Sequence, residues 1–466
     1  MHKRIIFALL GITLIAFGCS EERGTVPSAP EPQQEIGIDA EALAWALVTE
    51  AAWPVEASEE ELGQAGVAQC HGANIPFLFF ERTPITGDIV HYSLTVRTGP
   101  GQYDKIGLHR VVRENSPYHL IRTDQALFML HGDLKDFEGM FIPGQFSPHL
   151  PGDFGIAVYL AQNDVDVWGI DQGWNLVPAE ETNFLFFADW GIQREVDHLG
   201  IGLRIARIVR LVTGNGHDKM LLLGYSSGSA TGYALLNQEA QRPYARRQVK
   251  GFIAADLGVR SDDPDWIEMA QGGVEYYQYV YDSGQYEDPL IFRDVAFLAQ
   301  TDPGGDSPYI PGFTNLQCAL FFGGGLVFGN TNAHYHAPIL QSGLPVDFQF
   351  ITVDQWLDFI ENTAAYEPIL FELECFELLA MLDSPYIDHL GDITVPVFDL
   401  GGAGGIAPYT AATLSYLGSD DITQLYVSIG APEVQLEYGH IDIFTASNSP
   451  ELVWQPVLEW IEDHSE

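Results

Sequence analysis

The chain has 466 residues, which is enough for one large domain with an insertion or for two domains. Its residues are 46% hydrophobic and 12% aromatic, so the chain can bury a sizeable core. The formal net charge of −43 argues against nucleic acid as a partner, because the phosphates of a nucleic acid would be repelled.

The amino terminus has the pattern of an export signal. Residues 1–4 are basic, residues 5–17 are apolar but too few to span a bilayer, and Cys19 follows Gly18. This pattern predicts a signal peptide over 1–18 and, as in bacterial lipoproteins, lipidation of Cys19 after cleavage, with plain secretion as the alternative. We expect an exported protein of the bacterial cell envelope that contacts a membrane only through Cys19. The proline-rich polar residues 19–36 predict a disordered tether.

Three cysteines remain once Cys19 is assigned to the anchor. Cys70, Cys318 and Cys375 are far apart in the chain, and their spacing matches no metal site. In an exported protein two of them could form a disulfide and leave the third free. The sequence does not choose the pair.

Residues 37–85 are predicted to form a lead-in, an N-terminal segment of mixed structure that leads into the core. They contain no motif with evident chemistry. Residues 89–96 alternate in polarity, and a glycine-rich turn separates them from a second strand over 106–112. These two segments predict an antiparallel hairpin at the edge of a sheet. Residues 126–130 are continuously apolar, as expected of a strand buried on both faces, and the strand ends in His131-Gly132-Asp133.

Strands and helices then alternate along the chain. Helices are predicted over 154–161 and 195–212, and strands over 165–170, 220–224 and 249–255. Such alternation predicts an α/β fold with a mostly parallel sheet flanked by helices on both faces.

Residues 261–390 interrupt this alternation with a segment rich in tyrosine, phenylalanine, glycine and proline. We interpret it as a cap inserted into a core formed by residues 86–260 and 391–466. A second, independent domain is the alternative. The core resumes with a predicted strand over 393–400 and closes with an amphipathic helix over 452–462.

A Gly-x-Ser-x-Gly turn lies between the strand over 220–224 and the helix that follows it. Its central residue is Ser226, with Gly224 and Gly228 on either side. Such a turn holds the central residue in strained backbone geometry and lifts its hydroxyl clear of the sheet. A Cβ at either glycine would collide with the neighbouring strand or helix. Ser226 is therefore the candidate nucleophile, and the alternative, Ser227, lacks the glycine spacing.

These features together resemble the α/β-hydrolase superfamily, which includes lipases and serine esterases. The resemblance extends over about half of the chain. The motifs that carry it are His131-Gly132, the Gly-x-Ser-x-Gly turn, Val249-Lys250-Gly251, Val395-Pro396-Val397 and Gly439-His440. The resemblance implies the α/β-hydrolase fold, with a mostly parallel sheet flanked by helices and a large inserted cap. It is specific for the fold and the nucleophile but weak for the substrate.

The resemblance also implies roles for individual residues. A serine hydroxyl needs a neutral imidazole to take its proton, and His440 lies where the superfamily places that base. The oxyanion of the intermediate needs two backbone N–H groups, which the superfamily takes from the positions of Ser227 and Asp133. Because a carboxylate beside an oxyanion is unfavourable, we expect the Asp133 side chain to face away.

The acid of the triad departs from the common pattern. The superfamily usually places it just after the strand over 393–400, but residues 401–405 contain no carboxylate. Some members place the acid one strand earlier, where this chain has Asp256, and the order Ser226, Asp256, His440 then keeps the usual order of the triad. Asp399, Asp420, Asp421 or no acid at all are the alternatives.

Other histidines and acids have structural interpretations. His131 is expected to be structural, and Asp442 is expected to brace the loop that carries His440. His334 and His336 could form a metal pair, but no third ligand lies nearby in the sequence. We expect no metal and no cofactor, because the chemistry needs none.

The sequence thus predicts an enzyme, a serine hydrolase that cleaves small-molecule carboxylic esters. The aromatic cap suggests an apolar acyl or alcohol group, although fold-level analogy is weak evidence for a substrate. A serine peptidase, amidase or thioesterase would use the same residues. The alternative from another class is a non-catalytic surface binding protein on a hydrolase scaffold, which the missing acid at 401–405 motivates.

Overall fold

The structure is a computed structural model, and it describes residues 77–465. The predicted signal peptide, the tether, most of the lead-in, Cys19 and Cys70 lie outside the described residues. Within the described range, no helix is long and apolar enough to cross a membrane.

A ten-stranded sheet forms the centre of the fold. The strands of the described chain are β1 (Phe77–Thr86), β2 (Ile89–Arg97), β3 (Lys105–Ser116), β4 (His119–Leu120), β5 (Ala126–Leu130), β6 (Asp166–Asp171), β7 (Met220–Tyr225), β8 (Val249–Ala255), β9 (Glu287–Pro289), β10 (Pro338–Gln341), β11 (Leu344–Phe348), β12 (Tyr366–Pro368), β13 (Val397–Gly402) and β14 (Ile422–Val427). In the large sheet the order is β1-β2-β3-β6-β5-β7-β8-β13-β14, with β4 paired to β3.

The six strands from β6 to β14 in this order run parallel, and β1, β2 and β3 add antiparallel pairs at one side. The mostly parallel sheet expected from the alternating pattern is confirmed. Successive side chains of a strand point to opposite faces of the sheet. An apolar run such as β5 is therefore buried on both faces, because a core lies on each side. Phe128 and Leu130 join the core on one face, and Leu127 and Met129 join the core on the other.

Helices cover both faces of the sheet, and five more lie within residues 261–390. They are α1 (Phe137–Phe141), α2 (Ile156–Gln162), α3 (Ile192–Val212), α4 (Ser227–Ala240), α5 (Pro264–Asp282), α6 (Phe292–Thr301), α7 (Asn315–Gly324), α8 (Val353–Glu361), α9 (Ile369–Leu379), α10 (Ala407–Thr410), α11 (Asp442–Thr445) and α12 (Gln455–Asp463). Apolar residues of α3 and α4 pack in one core, and those of α2 and α12 pack in the other.

Strand β1 differs from the sequence-based expectation. Residues 77–86 fall almost entirely in the predicted lead-in, but they form the edge strand, so the β2–β3 hairpin lies one strand further in. The register shifts between Pro84 and Thr86. A proline cannot donate a ladder hydrogen bond and is tolerated in an edge strand, which pairs on one side only. Pro84 and the lack of strict alternation therefore hid this strand.

Residues 261–390 lie between β8 and β13, which are neighbours in the sheet. This inserted segment contains helices α5 to α9 and two small antiparallel sheets, β9–β12 and β10–β11. It leaves the sheet at the carboxyl end of β8, the end at which parallel sheets of this kind bind ligands. Two of the candidate disulfide cysteines, Cys318 and Cys375, lie in this segment as buried free thiols, so they are not paired with each other.

Candidate active site

Ser226 lies in a strained turn between β7 and α4. Its φ of 54° and ψ of −128° are unusual for a residue with a side chain. An added Cβ at Gly224 would come within 2.4 Å of the Gly228 carbonyl oxygen, and one at Gly228 would come within 2.4 Å of the His131 carbonyl oxygen. The two glycines are therefore required by close backbone contacts, and the turn presents the Ser226 side chain at the carboxyl end of the sheet.

The structure brings three of the predicted site residues together. His440 Nε2 lies 3.0 Å from Ser226 Oγ, and His440 Nδ1 lies 2.6 Å from Asp256 Oδ2. Asp256 is fully buried at the end of β8, and the His440 ring stacks on Tyr225. With Nδ1 donating to the Asp256 carboxylate, Nε2 is left free to accept the Ser226 proton, which is the arrangement that a general base needs.

The glycine-rich turn over 401–405 has a different role from the one its position suggested. The backbone N–H groups of Gly402, Ile406 and Ala407 all donate to the Asp256 carboxylate. An added Cβ at Gly401 or Gly405 would come within 2.2 Å of that carboxylate. The turn over 401–405 has no acid of its own. Instead it surrounds the carboxylate of Asp256, the residue that directly follows β8.

The alternative acids are occupied elsewhere. Asp399 is buried on β13, where its carboxylate accepts hydrogen bonds from Gln424 and Tyr426. Burial raises the pKa of Asp399 to about 6. Asp420 and Asp421 are exposed, and Asp421 faces His464.

The remaining predicted residues stabilise the loops around the site. Asp442 accepts hydrogen bonds from His336 Nδ1 and from the backbone N–H of Gly439, next to His440. His334 is held by two backbone carbonyl groups rather than pairing with His336. His131 is fully buried, and its Nε2 accepts from the backbone N–H of Gln172.

The two residues expected to supply the oxyanion N–H groups flank Ser226. Ser227 begins α4, so its N–H has no partner within the helix. On the other side, a Cβ added to Gly132 would lie 2.6 Å from Ser226 Cβ, so the turn that carries Asp133 packs directly against the nucleophile. The backbone of Leu134 is already used, because its N–H donates to Glu367.

The expectation that the Asp133 side chain faces away is wrong. Its carboxylate accepts a hydrogen bond of 2.5 Å from Ser227 Oγ and lines the same cavity as Ser226. Burial raises the pKa of Asp133, while the hydrogen bond from Ser227 and the nearby imidazole of His440 oppose this effect. A donor from the turn itself therefore holds the carboxylate beside the site.

Ser226 and His440 open onto a cavity of about 270 Å³. Its wall combines the core with the inserted segment, which contributes mainly apolar and aromatic side chains, among them Trp266, Met269, Phe328 and Phe376. The inserted segment also contributes Glu367 and Glu372, which the sequence analysis did not single out. Glu367 lies in β12 and Glu372 in the first turn of α9, both among apolar residues, and no motif in the sequence connects them with Asp133.

A second polar cluster missed by the sequence analysis lies between β2, β3 and α1, and its members are not among the residues that line this cavity. His91 Nε2 lies 2.9 Å from His109 Nδ1, and His109 Nε2 lies 2.8 Å from Asp171. Together with Glu138, the two histidines could supply three ligands to a metal ion. Burial lowers the pKa of His91 to about 3, so this imidazole is neutral.

A comparison with a solved structure supports the fold. No protein-family model matches the chain, and no curated protein has a matching sequence. Among solved structures, a candidate lipase from Sulfolobus solfataricus superposes with a TM-score of 0.55 at 19% identity, over 83% of this chain and 99% of that one. A thermophilic esterase from Thermogutta terrifontis has a TM-score of 0.38 at 14% identity, over 80% of this chain and 99% of that one. The chain has the α/β-hydrolase fold.

Proposed function

We propose that this protein is a serine hydrolase that cleaves carboxylic esters through Ser226, His440 and Asp256. The observation that carries the proposal is the continuous hydrogen-bonded chain from Asp256 through His440 to Ser226, at the mouth of a largely apolar cavity. The non-catalytic alternative was motivated by a missing acid. Asp256 within 2.6 Å of His440 removes that motive.

In the proposed reaction Ser226 Oγ attacks the ester carbonyl carbon while His440 Nε2 takes its proton. The carbonyl electrons move onto the oxygen, which the backbone N–H groups of Ser227 and Asp133 stabilise. The C–O bond to the alcohol then breaks, and His440 returns the proton to the leaving oxygen. Water, deprotonated by the same imidazole, hydrolyses the acyl-Ser226 ester, and Asp256 stabilises the imidazolium in both halves of the reaction.

The test is the hydrolysis of a p-nitrophenyl ester by the wild type, by Ser226→Ala and by Ser415→Ala, an exposed serine used as the control. We expect Ser226→Ala to lower kcat by about 10⁴-fold or more, since removal of a triad nucleophile leaves only binding and oxyanion stabilisation. Ser415→Ala should match the wild type. Equal activity of the Ser226 variant, or faster cleavage of the matching p-nitroanilide than of the ester, would contradict the proposal.

We also propose that the protein is exported and lipid-anchored at Cys19. The support is the short apolar run between a basic start and a lone cysteine, followed by a proline-rich tether. Expression in a bacterial host with labelled palmitate tests this directly. The wild type should incorporate label and fractionate with membranes, and Cys19→Ala should do neither.

A further inference from the structure

Three carboxylates meet in the wall of the active-site cavity. Asp133 comes from the turn after β5, Glu367 from β12 and Glu372 from the first turn of α9, and their oxygens lie within 4.8 Å of one another. We call these three residues the acid cluster. All three line the cavity that contains Ser226 and His440.

Three ionised carboxylates this close together are unfavourable unless protons or a bound cation compensate their charge, because like charges at this separation repel strongly in a medium of low polarity. Burial raises the pKa of each of the three carboxylates, and the charge of Asp133 raises those of Glu367 and Glu372 further. Within residues 77–465, no lysine or arginine forms a salt bridge with any of them.

Among the described residues, Glu372 is the member of the acid cluster that most clearly lacks a hydrogen-bond donor for one of its oxygens. Its side chain is only 7% exposed, yet its buried Oε1 accepts no hydrogen bond from any of the described residues. By contrast, Asp133 accepts from Ser227, and Glu367 accepts from the backbone N–H of Leu134. Buried carboxylate oxygens are normally paired, so an unpaired one that lines a cavity points to a donor supplied by a ligand.

We propose that the acid cluster binds an ammonium group of the ester substrate. This inference rests on the proposed hydrolase function and specifies its substrate class. Aromatic side chains share the cavity wall with the cluster, among them Tyr277 and Tyr335. Rings attract alkylated ammonium groups through their π faces, whereas a hard divalent metal ion prefers a shell of six or more oxygens.

The position of the cluster sets the place of the ammonium group in the substrate. Asp133 is hydrogen-bonded to Ser227, the residue after the nucleophile, so the positive charge lies a few bonds from the scissile carbonyl. A bound cation would also offset the repulsion between the Asp133 carboxylate and the developing oxyanion. Esters with an ammonium group should therefore react faster than neutral esters of the same shape.

The experiment compares ammonium esters with isosteres in which carbon replaces nitrogen. One pair places the charge in the alcohol, as in butyrylcholine, and the other places it in the acyl chain, as in a p-nitrophenyl ester of a trimethylammonio acid. We expect kcat/KM to favour the charged member of at least one pair by about tenfold or more, as for a hydrogen-bonded or paired buried charge. Equal or better hydrolysis of both neutral esters, abolished by Ser226→Ala, would overturn this inference and leave the proposed function standing.

Variants assign the preference to the cluster. For the preferred pair of esters, the ratio compares kcat/KM of the ammonium ester with kcat/KM of its carbon isostere. Glu372→Gln should reduce this ratio by about tenfold. Glu377→Gln, on the same helix but outside the cavity wall, should leave the ratio unchanged. A ratio that is the same in all three proteins would overturn the assignment.

Two measurements keep the inference testable without turnover. Calorimetry with Ser226→Ala should detect butyrylcholine binding more tightly than its carbon isostere, and Glu372→Gln in that background should remove the difference. Equal binding of both compounds would overturn the inference. Calcium, magnesium or manganese binding that Glu372→Gln abolishes, together with loss of ester hydrolysis in a chelator, would overturn it in favour of a metal site.

Discussion

Two residues of the proposed triad have backbone conformations that residues other than glycine rarely adopt. Ser226 has a φ of 54° and Asp256 a φ of 56°. Left-handed geometry costs free energy for a residue with a Cβ and persists where the surroundings enforce it, often at functional sites. At Asp256 the enforcing contacts are the backbone N–H groups of Gly402, Ile406 and Ala407.

This arrangement predicts that Gly405→Ala impairs catalysis without removing any catalytic group. The new methyl group would overlap the Asp256 carboxylate and displace it from His440. We expect kcat to fall by about 10²-fold, the typical effect of misplacing a catalytic group by about 1 Å.

The control for this prediction is Gly304→Ala, since an added Cβ at Gly304 meets no atom of the described residues within 4 Å. Ester hydrolysis assays on both variants, with circular dichroism to check the fold, make the measurement. A Gly405→Ala enzyme with normal kcat would mean that the turn does not position Asp256.

At the scale of elements, the position of β6 depends on a buried ionic network as well as on apolar packing. Asp166 begins this strand, and its carboxylate accepts hydrogen bonds from Arg110 of β3 and Arg210 of α3 at 2.6 to 2.8 Å. Asp166 and Arg110 are fully buried. Burial alone would raise the pKa of Asp166, but the two arginines outweigh it and lower that pKa below the ordinary value.

We therefore predict that Asp166→Asn lowers the free energy of unfolding by about 3–5 kcal/mol, because it removes the negative charge that accepts hydrogen bonds from two buried arginines. Since the pKa of Asp166 is lowered in the folded state, its contribution is complete above about pH 4 and is lost as the pH falls further. Urea unfolding at pH 7 provides the measurement.

Asp164→Asn is the matched control for that experiment, since Asp164 pairs with Arg113 at the surface. An exposed pair of this kind contributes at most about 1 kcal/mol. Equal unfolding free energies for the two variants would contradict the structural role assigned to Asp166.

At the scale of the whole molecule, the excess of 64 acidic over 21 basic residues is the dominant electrostatic feature. Self-repulsion of this charge opposes the compact state, and dissolved salt screens it. The melting temperature should therefore rise between low salt and about 1 M sodium chloride, where the screening length is about 3 Å.

Differential scanning calorimetry in sodium chloride and in sucrose of equal osmolality separates screening from solute exclusion. The salt series should show the larger rise in melting temperature. A melting temperature that falls with salt, or that responds only to sucrose, would mean that repulsion does not limit stability.

Sequence patterns predicted the core of this molecule because its central strands are short, apolar and separated by helices. The strand over 126–130 and the strand over 249–255 have the bounds that the sequence indicated. The edge strand β1 was missed because its proline and irregular register lack a period-two signal. Local patterning therefore predicts buried strands better than edge strands.

At the site, Ser226 and Asp256 could be placed because each directly follows a core strand, and His440 could be placed because its Gly-His motif comes after the last strand. The acid cluster could not, since Glu367 and Glu372 reach Asp133 only through the folding of the inserted segment. The orientation of Asp133 was predicted wrongly for a related reason. The Ser227 hydroxyl that holds its carboxylate toward the cavity has no signature in the sequence.

The most direct test of the central claim is covalent labelling with a fluorophosphonate, which needs no knowledge of the substrate. Peptide mapping should place the adduct on Ser226, because an activated serine attacks phosphorus as it attacks a carbonyl. The labelling rate should fall by about 10³-fold or more in Asp256→Asn and stay close to the wild-type rate in Asp399→Asn. A folded protein that is not labelled, that is labelled elsewhere, or whose labelling depends on Asp399 rather than Asp256 would contradict the account.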